Sequence, residues 1–359
     1  VPQGRDALRG ALLLPSLIGA HQPAPIVAAG DDIRKISLTL QSQAGTVYID
    51  GYAPVDTAPV IPGSRQGVIL MTGVGDNRSI DQLVNLEQAM ARSGIVFMDL
   101  TTDNLLAYKL SPADEDSVVQ AVKKLELWPG VGAGKIGILG FSAGSVLACL
   151  AAADPRVRDQ IAFLTLFGGL FNGIDLLRDI GRRAIDVNGK LRPWHTDPVP
   201  LQVLANTVSG DLTADEANLI TNSFNTQTPL TSDEIAHLSA NGAAAYHLLE
   251  GDEPAQVESN LAQLSPAIHA LLDSLSPSTV AGSIHATIYL LHDRDDPFLP
   301  YTQSRDFAAM LTRIRHPHDY VEFSIFAHVE VKSGNDLTSL IGDGARLYRV
   351  LFEILAYGG

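Results

Sequence analysis

Between residues 67 and 170 the chain alternates between two textures. Short apolar runs at Val68–Met71, Ile95–Met98, Ile136–Leu139 and Ile161–Leu164 have the length and composition of strands buried on both faces. The stretches between them carry helical spacing. Leu83, Leu86 and Met90 fall on one face of a helix over 79–92. Asp114 to Leu125 opens with acids and closes with lysines, which suits the helix dipole. Val146 to Ala153 reads as a further helix. Strand and helix in turn predict a mostly parallel central sheet flanked by helices, an α/β fold.

Upstream, Ile36–Leu40 and Val47–Asp50 alternate apolar and polar residues about Gln43-Ala-Gly45, which predicts a β-hairpin. Residues 1–33 are rich in Pro, Gly and Ala and read as an irregular arm. From 173 to 280 the alternation stops. Helix starts remain, with Thr213/Glu216 and Thr231/Glu234 as capping boxes and Pro254 and Pro266 in first helical turns, and no strand is expected. Alternation returns with the strand Ala286–Leu291, a helix near 302–313, the strand Tyr320–Ser324 and a helix near 343–356. The expected organisation is an arm (1–33), a core (34–172 and 281–359) and an inserted helical cap (173–280).

Composition narrows the class. Hydrophobic residues make up 46% of the 359, enough for a large core. A net charge of -15 argues against nucleic acid as a partner and, more weakly, against anionic lipid. The single cysteine, Cys149, excludes an internal disulfide and reads as a buried thiol. No apolar run reaches the roughly 18 residues of a membrane span, so stable membrane insertion is not expected. Residues 11–20, preceded by Arg5 and Arg9, resemble the remnant of a signal region, and the chain begins at Val1. The reading favours a cytoplasmic protein, with export or anchoring through a removed N-terminal segment as the alternative.

The chemistry concentrates at Gly140-Phe141-Ser142-Ala143-Gly144, set directly between an apolar strand and an apolar helix. Small flanking residues let strand and helix approach, and the turn presents the Ser142 hydroxyl clear of the sheet beside a helix N-terminus. The segment Gly130–Lys135 mimics a phosphate loop, but Pro129 and Ile136 break the pattern and the run precedes a strand, so a turn is expected there.

In this context the chain resembles the α/β-hydrolase superfamily over roughly 65–170 and 283–358. The resemblance implies a serine nucleophile followed in chain order by an acid and a histidine. Residues 290–300 resemble the family's His-Gly-x-x-Asp-x-x-x-Pro stretch, which puts the acid at Asp296; Asp293 stands where Gly is usual, and Asp293 and Asp295 are rivals. His328 follows the last strand, where the family places its base. His292 reads as structural, His316 and His318 as loop residues, and His195, His237, His247 and His269 as residues of the insertion. The oxyanion-hole N–H groups would come from Ala143 and, in the loop after the first apolar strand, Val74. The implied activity is hydrolysis of a small-molecule carboxylic ester through an acyl-enzyme, needing neither cofactor nor metal, with an apolar acyl pocket under the cap. Peptidase, thioesterase or acyltransferase chemistry on the same triad is the alternative, and a non-catalytic binding protein a third.

Overall fold

The computed structural model describes residues 2–17, 25–332, 334 and 336–357. An eight-stranded sheet runs β1-β2-β4-β3-β5-β6-β9-β10. In chain order its strands are β1 (Ile33–Ser42), β2 (Gly45–Pro54), β3 (Arg65–Met71), β4 (Val96–Thr102), β5 (Val131–Phe141), β6 (Ile161–Phe167), β9 (Thr287–Asp293) and β10 (His318–Phe323). The hairpin β1–β2 joins the edge through an antiparallel β2–β4 pair, and the remaining pairs are parallel.

The chain runs outward from β3 to β4, then returns to β5 on the other side of β3. The loops leaving β3 and β5 therefore diverge at the carboxyl edge of the sheet, where open α/β sheets leave a crevice.

Helices cover both faces. One face carries α1 (Pro2–Leu17), α2 (Asp81–Arg92) and α12 (Leu337–Ala356), packed on Val68, Leu70, Phe163 and Tyr289. The other carries α3 (Glu115–Glu126), α4 (Gly144–Ala153) and α11 (Thr302–Arg313). Between β6 and β9 come α5 (Gly173–Arg182), α6 (Pro198–Val208), α7 (Ala214–Thr226), α8 (Ala240–Glu250), α9 (Val257–Gln263) and α10 (Pro266–Ser274). Their buried side chains, such as Leu177, Ile220 and Leu248, join the second face's core. Both capping boxes form at α7 and at the short turn after Thr231. Cys149 is buried on α4, and burial pushes its thiol up.

Four local readings are corrected. Residues 2–17 are helical, not irregular: Leu13 is fully buried, and the Tyr348 hydroxyl donates to the Ala7 carbonyl at 3.0 Å. Pro15 falls in the helix's last turn, and docking on α12 overrides the weak local propensity. The insertion does contain strands, β7 (Ala184–Asp186) and β8 (Leu191–Pro193), joined across an Asn188–Gly189 turn, a hairpin signal in its own right. Pro254 precedes α9 instead of opening it. The expected turn holds only at Gly130; from Val131 to Lys135 the run is the start of β5, with Val131 paired to Arg65. Among the described residues no helix is long and apolar enough to cross a membrane.

A buried acid pair gives the fold a pH dependence. Glu87 on α2 and Asp99 on β4 are 1% and 0% exposed, and oxygens of both lack hydrogen-bond partners. Burial, opposed by the contact with Asp99 and helped by the Asp50 charge, pushes the Glu87 carboxyl up to about 7. Burial and Glu87 push Asp99 up as well. A raised folded-state value means that the neutral form is favoured in the fold. The associated stability is complete below the ordinary glutamate range and is lost as pH rises through about 7. Glu87→Gln should therefore be more stable than the parent at pH 8 by roughly 2 to 3 kcal/mol and nearly equal at pH 5. Urea unfolding at the two pH values measures this, and identical pH slopes for parent and variant would count against it.

Candidate active site

Ser142 follows β5 directly with φ 52, a left-handed conformation rare for a residue with a side chain. Its N–H donates to the Phe167 carbonyl at 3.0 Å, and its carbonyl accepts from the Ser145 hydroxyl at 2.6 Å. The strained residue is thus held by its neighbours on β6 and α4. Glycine is required at 144, because a Cβ there would lie 2.2 Å from the Met71 carbonyl oxygen. That close approach brings the loop after β3 onto the start of α4.

Asp296, the acid that the resemblance implies, is 3% exposed and lies in the loop after β9. One carboxylate oxygen accepts from the backbone N–H groups of Phe298 at 2.7 Å and Leu299 at 3.0 Å. The other lies 2.7 Å from Nδ1 of His328 and 3.3 Å from Nε2 of His292. Burial alone would raise this carboxyl, but the contacts with His292 and His328 overcome it and hold the group below the usual carboxylate range. An ionised carboxylate only accepts, so Nδ1 of His328 carries the proton and Nε2 is left as the acceptor. Nε2 is buried and has no hydrogen-bond partner.

His328 sits at φ 58 in the two-residue turn of a small hairpin, β11 (Phe326–Ala327) and β12 (Glu330–Val331). Its ring stacks on Phe298 with centroids 4.6 Å apart and planes 18° apart. Gly168, at φ 57, leaves room beside the ring that a Cβ would fill 2.8 Å from it. Phe298 and Gly168 were not among the residues singled out from the sequence. The Gly168-Gly169 pair closing β6 was the available signal for the second.

The rival aspartates have other partners. Asp293 accepts from the Phe326 N–H at 2.7 Å, from the Asp295 N–H at 2.9 Å and from Lys332 Nζ at 3.2 Å. It braces the hairpin that carries His328, two residues before the histidine. Asp295 is exposed and pairs with Lys332 at 2.9 Å. His292 is fully buried; its Nε2 also reaches the Leu299 carbonyl, and its Nδ1 faces the Ser304 hydroxyl at 2.7 Å. His237, His247 and His269 bond within the insertion. Among the described residues no three His, Cys, Asp or Glu groups are arranged to hold a metal ion.

The loop 72–76 runs beside Ser142: a Cβ on Gly73 would sit 3.3 Å from the Ser142 Cβ. Asn77 Nδ2 donates to the Val74 carbonyl at 3.0 Å and the Gly73 carbonyl at 3.3 Å, so the carbonyls are drawn towards Asn77. Among the described residues the Val74 and Ala143 N–H groups have no acceptor.

Ser142 and His328 share one cavity of about 290 Å³, with no hydrogen bond between the two side chains. Beyond a mouth formed with Phe298 and Val199, its walls are α2 and α12 and its floor the facing side of the sheet. The expectation that residues 173–280 line an apolar pocket is corrected: among the described residues only Val199 of that segment reaches the cavity. The insertion's apolar faces are spent on the opposite core, so they are not free to wall the site.

No family model and no curated protein matches this sequence. Among solved structures, the acylaminoacyl peptidase of Pyrococcus horikoshii is similar over 91% of this chain and 42% of its own, at 14% identity and a TM-score of 0.51. The chain has the α/β-hydrolase fold. A hyperthermophilic esterase from the archaeon Pyrobaculum calidifontis is similar over 99% of this chain and 92% of its own (15% identity, TM-score 0.49). The Porphyromonas gingivalis dipeptidyl peptidase 4 is similar over 89% and 35% (13% identity, TM-score 0.49). The chain thus spans well under half the length of the peptidases it matches. At these identities the likeness concerns the α/β-hydrolase fold, and the chemistry must be argued from the site.

Proposed function

We propose that the protein is a serine hydrolase that cleaves carboxylic esters through an acyl-enzyme. One observation carries the reading. The Nδ1 edge of His328 is held by the ionised Asp296, its Nε2 has no partner, and the residue lines the same cavity as Ser142. His328 takes the Ser142 proton as the hydroxyl oxygen attacks the ester carbonyl, and Asp296 stabilises the imidazolium. The Val74 and Ala143 N–H groups receive the developing oxyanion. His328 returns its proton to the departing alkoxide. It then deprotonates a water that attacks the acyl-enzyme, giving the free acid and restoring Ser142. The steps need only these side chains, the backbone pair and water.

Residues 173–280 act in this proposal as a cap at the mouth, on a core formed by 34–172 and 281–359. Its support is the hydrogen-bonded contact of 194–197 with the acid loop. Trp194 Nε1 donates to the Asp296 carbonyl at 3.2 Å, the Asp197 N–H to the Pro297 carbonyl at 2.6 Å and the Thr196 hydroxyl to the Phe298 carbonyl at 3.0 Å.

A fluorophosphonate probe should label the protein at Ser142 and block hydrolysis of p-nitrophenyl esters. A panel holding matched ester, thioester and anilide substrates should be turned over in that order of preference. Absence of labelling, or anilide turnover above ester turnover, would discard the ester-hydrolase reading.

A further inference from the structure

The cavity does not stop at the nucleophile. Leu139, three residues before Ser142 on β5, belongs to its floor, which places that floor about 10 Å below the hydroxyl-bearing residue. One wall is a stripe of α2 that includes Leu86 and Met90, and the other a stripe of α12 that includes Leu351 and Ile354. From Leu347 to Ile354 the α12 stripe spans seven residues, roughly 10 Å of helix; from Ile80, which caps α2, to Met90 the opposite wall spans ten, roughly 15 Å. No charged side chain lines the deep part, where Thr165 is the polar exception. The space is therefore an elongated apolar slot, opening at Ser142 and His328 and running along the face of the sheet away from the helical insertion.

The outer side of the slot is covered. Helix α1 packs on both α2 and α12 and buries Leu13 in the same core cluster as Leu86, Met90, Leu351 and Ile354. The N-terminal helix thus ties the two walls together from outside.

We propose that this slot takes the acyl chain, so that the substrates are esters of unbranched medium-chain fatty acids of about eight to twelve carbons, the extended length of which fits 10 to 15 Å of wall. This rests on the ester-hydrolase reading. With the carbonyl carbon at the Ser142 oxygen, the chain descends between α2 and α12, and the alcohol portion stays at the mouth near Val199. A short acid leaves the slot empty, and an aromatic acid reaches only its first turn. Each methylene withdrawn from water into the slot raises kcat/KM by up to about fourfold.

The test compares p-nitrophenyl acetate, butyrate, octanoate and decanoate. The parent protein should show kcat/KM rising about a hundredfold from butyrate to decanoate. Leu351→Trp and, from the opposite wall, Leu86→Trp fill the slot midway, and each should lower the decanoate-to-acetate ratio of kcat/KM at least tenfold. Two walls are probed so that the result does not depend on one variant folding. Ester hydrolysis without any chain-length trend, or tryptophan variants that keep the parent ratio, would overturn the slot while leaving the hydrolase intact. A binding arm separates the two ideas. In Ser142→Ala, decanoate should displace a bound fluorescent fatty acid at least tenfold more tightly than butyrate does, and adding Leu351→Trp should remove that difference. If no ester is hydrolysed, the hydrolase reading fails and this arm alone decides the slot: equal displacement by the two acids overturns it.

Discussion

Ser142→Ala is expected to lower ester turnover by roughly four orders of magnitude or more while the protein stays folded. The oxygen is the proposed nucleophile, and Ser145, the nearest serine in sequence, is not placed to replace it: it is fully buried and donates to the Ser142 carbonyl. The bonds that fix the backbone of residue 142, from its N–H to Phe167 and from Ser145 to its carbonyl, involve no Ser142 side-chain atom and survive the change. Alanine at φ 52 is about as strained as serine, so the unfolding midpoint should move by only a few degrees. Ser142→Gly accepts that conformation freely and should be the more stable of the two by about 1 kcal/mol. Steady-state kinetics and thermal unfolding of both variants measure these effects. Residual activity above about 1% in either variant would place the nucleophile elsewhere.

Asp296→Asn is expected to reduce kcat/KM by roughly 10³- to 10⁴-fold at neutral pH with little change in structure. The geometry dictates how. One oxygen accepts from the Phe298 and Leu299 N–H groups, and an asparagine carbonyl can keep that place. The amide NH₂ then faces Nδ1 of His328, 2.7 Å from the present oxygen, and Nδ1 must become an acceptor. The ring proton moves to Nε2, the nitrogen that has to receive the Ser142 proton. The effect should fall on kcat, and fluorophosphonate labelling should slow in proportion. In the parent, the folded-state value of Asp296 lies below the usual range, so the stability it contributes is present at neutral pH and is lost only as pH falls through the acid range. Asp296→Asn should therefore flatten the acid side of the stability profile as well. If Asp293→Asn proved as damaging to labelling rate as Asp296→Asn, the bracing role assigned to Asp293 would be wrong.

Much of this molecule is written in residues close together in the chain. The apolar runs Val68–Met71 and Ile161–Leu164 lie inside β3 and β6 because a strand buried on both faces has no polar position to place. Glycines 140 and 144 around Ser142 mark a turn that only small residues permit, and Thr213/Glu216 closes a helix end with its own side chains. In each case cause and effect lie within a few residues.

Other features depended on residues far apart in sequence. Residues 2–17 are too poor in helix signals to stand alone and are helical where α12, more than 300 residues away, buries Leu13 and holds Ala7. Three aspartates at 293, 295 and 296 are rivals on paper, and only the resemblance to the family stretch favours the last. The fold separates them, giving the first to the Phe326 N–H, the second to Lys332 and the third to His328, each more than 30 residues downstream. The cavity's position was hidden for the same reason. Helical periodicity announces that a face is buried but not what it is buried against. Leu86 and Leu351 carry the same spacing whether they meet one another, the sheet or an empty slot. The local chemistry of strands, turns and caps was set by the sequence directly, whereas which carboxylate meets the histidine, and on which side of the sheet the apolar space opens, followed only from bringing distant segments together.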